Sequence, residues 1–192
     1  MRFIVLTVLM LCAAALRAEE APKQKDANPV VVIETNLGTI EAELYQDKAP
    51  VSVENFLGYV KDKFYDNTIF HRVWDGFMIQ GGGYTADLKA KKTKDPIKNE
   101  AANGLKNEVG TLAMARLPQP HTAASEFFIN IADNVFLNHK NKTEAGYGYA
   151  VFGKVTSGMD VVNKIKAVKV ADKDGFEKVP LEPVTIKSIR LK

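Results

Sequence analysis

From residue 30 onward, apolar positions fall in short runs separated by Gly, Pro, Asn and Asp. Val30-Val31-Val32-Ile33-Glu34-Thr35 is β-branched, Asn36-Leu37-Gly38 offers a turn, and Thr39-Ile40-Glu41-Ala42-Glu43-Leu44 alternates. That succession predicts a β-hairpin. Pro50 then opens a stretch in which Val53, Phe56, Leu57 and Val60 recur at the i, i+3, i+4, i+7 spacing of an amphipathic helix. Further strands are expected at 68–73, 77–80, 111–115, 127–131, 150–155 and 184–191. A second helix is expected at 159–166, with Met159, Val162 and Ile165 on one side. Many short strands and two helices predict a mainly β fold, a closed or nearly closed barrel capped by helices. No internal repeat and no shift in composition divides 30–192, which reads as one domain.

The N-terminus follows a different pattern. Met1-Arg2 precedes an apolar run over residues 3–16, and Arg17-Ala18-Glu19-Glu20 follows it. A basic start, an apolar stretch too short for the roughly 20 residues of a membrane span, and small residues at Ala15 and Ala18 predict a secretory signal peptide, 1–18, cleaved after Ala18. Residues 19–29, polar and without apolar period, read as a flexible leader. Cleavage would leave no stable membrane insertion and would place the mature chain in the periplasm or secretory space.

Composition matters mainly through that cleavage. The chain of 192 residues is 46% hydrophobic and 26% charged, an ordinary globular balance that needs no disulfide or metal to form a core. Its one Cys, Cys12, leaves with the signal, so the mature chain has neither a disulfide nor a thiol nucleophile. Losing Arg2 and Arg17 takes the 26 basic residues to 24 against 23 acidic ones, so the net charge falls from +3 to +1. A global electrostatic case for nucleic acid goes with it. Lys89, Lys91, Lys92, Lys94 and Lys98 cluster without interleaved aromatics and read as a solvated loop.

Several chemistries find no footing. His71, His121 and His139 are scattered and no HExxH occurs, so no metal is expected. There is no G-x-S-x-G elbow, and Gly81-Gly82-Gly83 matches neither phosphate-binding glycine motif. Three glycines after a strand instead mark a tight bend or barrel corner. What stands out is Phe70-His71-Arg72-Val73-Trp74-Asp75-Gly76-Phe77-Met78-Ile79-Gln80, a fixed cation amid aromatic and apolar residues. On a strand pair, Arg72 and the Phe77, Met78, Gln80 group would line one concave face. On pattern alone, a core strand with a snorkelling Arg is the simpler reading.

Phe70-His71-Arg72 followed by Gly76-Phe77-Met78-Ile79-Gln80-Gly81-Gly82 resembles the signature of the cyclophilins, peptidyl-prolyl cis-trans isomerases. The likeness continues through Gly110-Thr111-Leu112-Ala113-Met114-Ala115-Arg116, Ser125-Glu126-Phe127-Phe128-Ile129 and Val151-Phe152-Gly153-Lys154-Val155. With the signal peptide, it is most similar to the periplasmic cyclophilins of Gram-negative bacteria. The resemblance implies an eight-stranded antiparallel closed β-barrel capped by two α-helices, with no cofactor. It implies that Arg72 hydrogen-bonds the prolyl nitrogen in the twisted transition state. Phe77, Met78, Phe128 and Leu137 would form the proline pocket, Gln80 would orient substrate and arginine, and Ala115 and Arg116 would lie along the peptide backbone.

Four positions depart from the family's usual residues. Arg116 stands for Asn, Phe136 for the Trp of many eukaryotic members, Tyr149 for His, and Glu126 for Gln. Glu126 draws most interest, because a carboxylate there is expected to pair with Arg72 or draw charge from it, at a modest cost in rate. The implied partners are proline-containing unfolded or extended polypeptides, acted on by a monomer. A non-catalytic proline-peptide-binding chaperone using the same groove is the alternative, and the retained Arg72 argues for the enzyme.

Overall fold

The computed structural model describes residues 27–192; the expected signal peptide and most of the leader lie outside them. The chain order is β1 (Val30–Thr35), β2 (Gly38–Leu44), α1 (Pro50–Lys61), β3 (Thr68–Ile69), β4 (Arg72–Trp74), β5 (Met78–Gly81) and β6 (Thr111–Met114). It continues with β7 (Phe127–Asn130), β8 (Val151–Ser157), α2 (Met159–Lys166), β9 (Val170–Lys173), β10 (Phe176–Pro180) and β11 (Thr185–Leu191). Nine strands form one curled antiparallel sheet in the order β3-β11-β1-β2-β8-β6-β7-β5-β4, and β9 and β10 form a separate hairpin.

The sheet is open where a closed eight-stranded barrel was expected, and the reason is local. The single strand expected at 68–73 divides at Phe70-His71 into β3 and β4, which occupy opposite ends of the sheet. Phe70 donates its N–H to Val184 and Ile69 to Tyr84, so the backbone here is spent on other partners. The curl brings both edges to this dipeptide, and an isolated bridge, Thr68 to Thr85, spans the seam without a continuous ladder.

Strand alternation divides the apolar residues between two clusters. Inward-facing Ile33, Ile40, Val73, Ile79, Leu112, Phe127 and Ile129 join Phe56 and Tyr59 of α1 and Val162 and Ile165 of α2 in the main core. Tyr59 joins the buried face of α1 beside Val53, Phe56 and Val60, and Leu57, the other member of the predicted spacing, packs at its margin. Met78, Ala113 and Phe128, the intervening residues of β5, β6 and β7, form a second cluster on the outer face of the sheet with Leu137 and Val151. The N-terminus of α1 is capped from far along the chain. Glu100 accepts the N–H groups of Val51 and Ser52 at 3.0 and 2.8 Å, so a carboxylate meets the orphan donors and the positive end of the helix.

The Gly81-Gly82-Gly83 corner behaves as expected. Gly82 has φ +87°, and a Cβ there would stand 2.9 Å from Tyr65 and 3.0 Å from Phe127. At Gly83 a Cβ would meet Glu126 at 2.6 Å, so this glycine makes room for that carboxylate. The lysine loop folds back on the protein: Lys94 pairs with Asp62 at 2.6 Å, and Lys91 donates to the Phe64 carbonyl.

Candidate active site

The second apolar cluster opens into a cavity of about 240 Å³ on the outer wall of the sheet. Register builds it. Arg72 of β4 pairs with Gln80 of β5, Gln80 with Phe128 of β7, and Phe128 with Ala113 of β6, so one transverse row crosses four strands on the same face. Met78 lies one pleat along on β5 and Ala115 just beyond the end of β6. Nine sequence-predicted residues line this cavity: Arg72, Phe77, Met78, Gln80, Ala115 and Arg116, with Phe128, Leu137 and Tyr149. The Arg of the motif therefore faces an apolar concavity, and the reading of a core strand with a snorkelling cation falls away.

Loops deliver Phe77, Leu137 and Tyr149, and a buried chain of amides ties those loops down. Asn134 donates to the Phe77 carbonyl at 2.9 Å and to Asn130 Oδ1 at 2.7 Å, while Asn130 donates to Asn107 at 3.2 Å. Asn107 in turn donates to the carbonyls of Leu137 and Tyr149, each at 3.3 Å. Satisfied buried amides of this kind hold a loop in one geometry, because any shift strands a polar group away from water. Sequence reading gave these asparagines no part; their side-chain partners lie on separate elements.

Arg116 does more than its backbone role implied. Its guanidinium lies 4.6 Å from the centre of the Tyr149 ring and donates to the carbonyls of Gly148 and Leu117 at 3.0 and 2.9 Å. Tyr149 also meets Phe128 edge-on at 5.8 Å. Phe136 stays outside the cavity: it is largely exposed and stacks against Phe77 at 5.5 Å, extending the aromatic rim.

Glu126 lines an adjoining cavity of about 390 Å³, which shares Gln80, Ala115 and Arg116 with the first. The expected pairing of Glu126 with Arg72 is not what the fold makes. Gln80 donates to Glu126 Oε2 at 2.8 Å, and the ion partner of Arg72 is Glu177 of β10, at 3.0 Å. Glu126 precedes β7, one position beyond the Phe127 that pairs with Gly81, so Gln80 intercepts it. Burial raises the Glu126 carboxyl above its ordinary pKa, and the Gln80 hydrogen bond offsets part of that rise.

His71 adjoins this carboxylate, with Nε2 3.4 Å from Glu126 Oε2. Burial, and then the charge of Arg72, push its imidazole down to about 4, so it is neutral at physiological pH. The β9–β10 hairpin that carries Glu177 was absent from the sequence reading. Its signal was Asp174-Gly175, both with positive φ, a dipeptide that favours tight hairpin turns.

Comparison with known proteins agrees with this geometry. Residues 30–191 match the family model of the cyclophilin type peptidyl-prolyl cis-trans isomerases. Peptidyl-prolyl cis-trans isomerase B of Escherichia coli is 54% identical over 160 residues, 83% of this chain and 98% of that protein. A peptidyl-prolyl cis-trans isomerase of Acinetobacter baylyi is 53% identical over 189 residues, 98% of this chain and 94% of that protein. The crystal structure of a Cryptosporidium parvum cyclophilin type isomerase superposes with a TM-score of 0.70 at 29% identity, covering 86% of this chain and 98% of that one. A second crystal structure of that protein was determined in the presence of the dipeptide Ala-Pro. The signature strands, the outward-facing apolar cavity they build and these relatives lead to one conclusion: the chain belongs to the cyclophilin family and is a peptidyl-prolyl cis-trans isomerase.

Proposed function

We propose that the enzyme accelerates rotation about X-Pro bonds in unfolded or extended polypeptides of the periplasm, with Arg72 as the catalytic residue. The amide before proline owes its barrier of about 18–20 kcal/mol to C–N double-bond character, so uncatalysed exchange takes tens to hundreds of seconds. Bringing it to milliseconds needs roughly 10⁴–10⁵-fold, or about 5.5–7 kcal/mol more stabilisation of the twisted state than of the planar one. No nucleophile or metal is required. As the bond twists, resonance is lost and the prolyl nitrogen gains a lone pair.

A donor placed at that nitrogen binds the transition state and has little to bind in the ground state. Arg72 at the mouth of the cavity supplies it, since its guanidinium stays charged and has donors to spare beyond the one given to Glu177. The prolyl ring seats on Phe77, Met78, Phe128 and Leu137, and the peptide backbone runs along Ala115 and Arg116. The observation that carries this reading is the coincidence of the Arg72 guanidinium with a cavity walled by aromatic rings, the second arginine there, Arg116, being spent on the Gly148 and Leu117 carbonyls and the Tyr149 ring. The Ala-Pro dipeptide present with the Cryptosporidium relative suits a cavity of this kind.

The periplasmic assignment rests on the signal-like residues 1–18, and a mature N-terminus at Glu19 tests it. Catalysis is tested by exchange spectroscopy on a short X-Pro peptide with wild type and Arg72→Ala. Fast exchange lost by a factor of about 10² or more in the variant supports the assignment, a loss of about 2.7 kcal/mol of transition-state stabilisation. Equal exchange in both proteins overturns it.

A further inference from the structure

We propose that Glu177 on the β9–β10 hairpin is a positioning residue for the catalytic Arg72; the proposal rests on the reading of Arg72 given above. The guanidinium sits at the end of a flexible side chain on a three-residue edge strand, and rotamer freedom works against holding it at one point. Gln80, directly opposite in the ladder, turns its amide N–H to Glu126, and among the described residues its carbonyl oxygen accepts no hydrogen bond from the guanidinium. The restraint comes from the other side. Arg72 Nη2 donates to Glu177 Oε2 at 3.0 Å, and the guanidinium carbon lies 5.2 Å over the ring of Trp74, two residues along the same strand face.

The hairpin is built to present that carboxylate. Phe176 packs edge-on against Tyr84 at 4.9 Å and His71 at 6.0 Å, which pins the start of β10 beside β4. Val179 is buried at its other end. Between these two anchors Glu177 points to Arg72, and the Lys178 Nζ lies 6.0 Å from the centre of the Trp74 ring. Glu177 lines neither cavity, so it acts through the arginine and does not touch the peptide. One N–H given to a carboxylate and one face on an indole fix the guanidinium plane, while its other donors stay free of Glu177 in a residue that lines the cavity. The pair is partly solvated, with the Glu177 side chain 63% exposed, so ionic strength weakens it.

The test measures catalysed exchange of a capped, uncharged Ala-Pro peptide, so that salt does not act through the substrate. Glu177→Ala is expected to lower kcat/KM about three- to fivefold through kcat, with KM unchanged, in keeping with an exposed charge pair. Glu177→Gln, which keeps an acceptor at the same reach, recovers part of the loss. Wild-type activity falls toward that of Glu177→Ala as salt rises to about 1 M, where the variant is flat. In an Arg72→Ala background, assayed at raised enzyme concentration, Glu177→Ala has no further effect. Unchanged or increased kcat/KM in Glu177→Ala, or the same fractional loss with and without Arg72, overturns the positioning role while leaving Arg72 as the catalytic residue. No loss in Arg72→Ala alone overturns both.

Discussion

Acidification should destabilise this protein through His71, and the size of the effect follows from its surroundings. His71 is 4% exposed, packed between Tyr84 at 4.6 Å and Phe176 at 6.0 Å, and its Nδ1 has no hydrogen-bond partner among the described residues. An imidazolium there would be desolvated and would face Arg72, its neighbour in sequence; the Glu126 carboxylate at 3.4 Å does not compensate. The folded ring therefore protonates near 4, whereas the unfolded one protonates at 6.5. Between those values the unfolded chain takes up a proton that the folded chain refuses, so stability present above about pH 6.5 is lost as the pH falls toward 4. Across a window of that width the loss is roughly 2–3 kcal/mol by pH 4.5.

Glu126 acts in the opposite sense. Its raised pKa lets the folded chain hold a proton sooner than the unfolded one, which returns some stability on acidification. A variant must therefore isolate the histidine. Urea unfolding of wild type and His71→Leu, each at pH 7.5 and pH 4.5, gives two changes in unfolding free energy. The wild type should lose roughly 2–3 kcal/mol more than the variant, whose leucine keeps the apolar contacts and cannot titrate. Parallel losses in the two proteins would falsify the placement of a neutral, buried His71.

Two other substitutions probe the corner and the carboxylate beside the groove. Gly82→Ala should cost about 2–4 kcal/mol, because it combines a positive φ with a Cβ pressed against Tyr65 and Phe127; a chemical denaturation midpoint equal to wild type would contradict the close packing. Glu126→Gln should raise kcat/KM about two- to fivefold, since it keeps an acceptor for Gln80 and removes a charge one side chain away from the Arg72 guanidinium proposed to act on the prolyl nitrogen, an effect within the range of partly solvated charge pairs. Unchanged turnover in that variant means that Gln80 insulates Arg72 from the carboxylate.

Much of the architecture was legible along the chain because burial on one side imposes a period. The first hairpin and the 159–166 helix form as their alternating and helical spacings predicted, and the expected strands other than 68–73 differ only at their ends. The nine residues that line the cavity on the outer wall of the sheet were identifiable too, since strand alternation puts Arg72, Gln80 and Phe128 on one face once the strands are paired in register. Two features escaped. The hairpin at β9–β10 leaves most of its residues in water, so it carries almost no apolar alternation, and only Asp174-Gly175 marked it. The division of β3 from β4 was hidden because Phe70 and His71 are themselves compatible with a strand, and what stops the ladder is that neighbouring N–H groups bond elsewhere.

The sequence by itself determined the strand and helix periods and which side chains of each strand share a face with its neighbours two residues along, because these depend on residues close together in the chain. Tertiary structure alone decided which carboxylate meets that arginine. Glu126 and Glu177 are both candidates by charge, but Gln80 intercepts the first, and the hairpin brings the second to 3.0 Å from a partner 105 residues away. Ion pairing depends on distance and desolvation, and neither exists until the sheet has curled and the hairpin has docked against its edge.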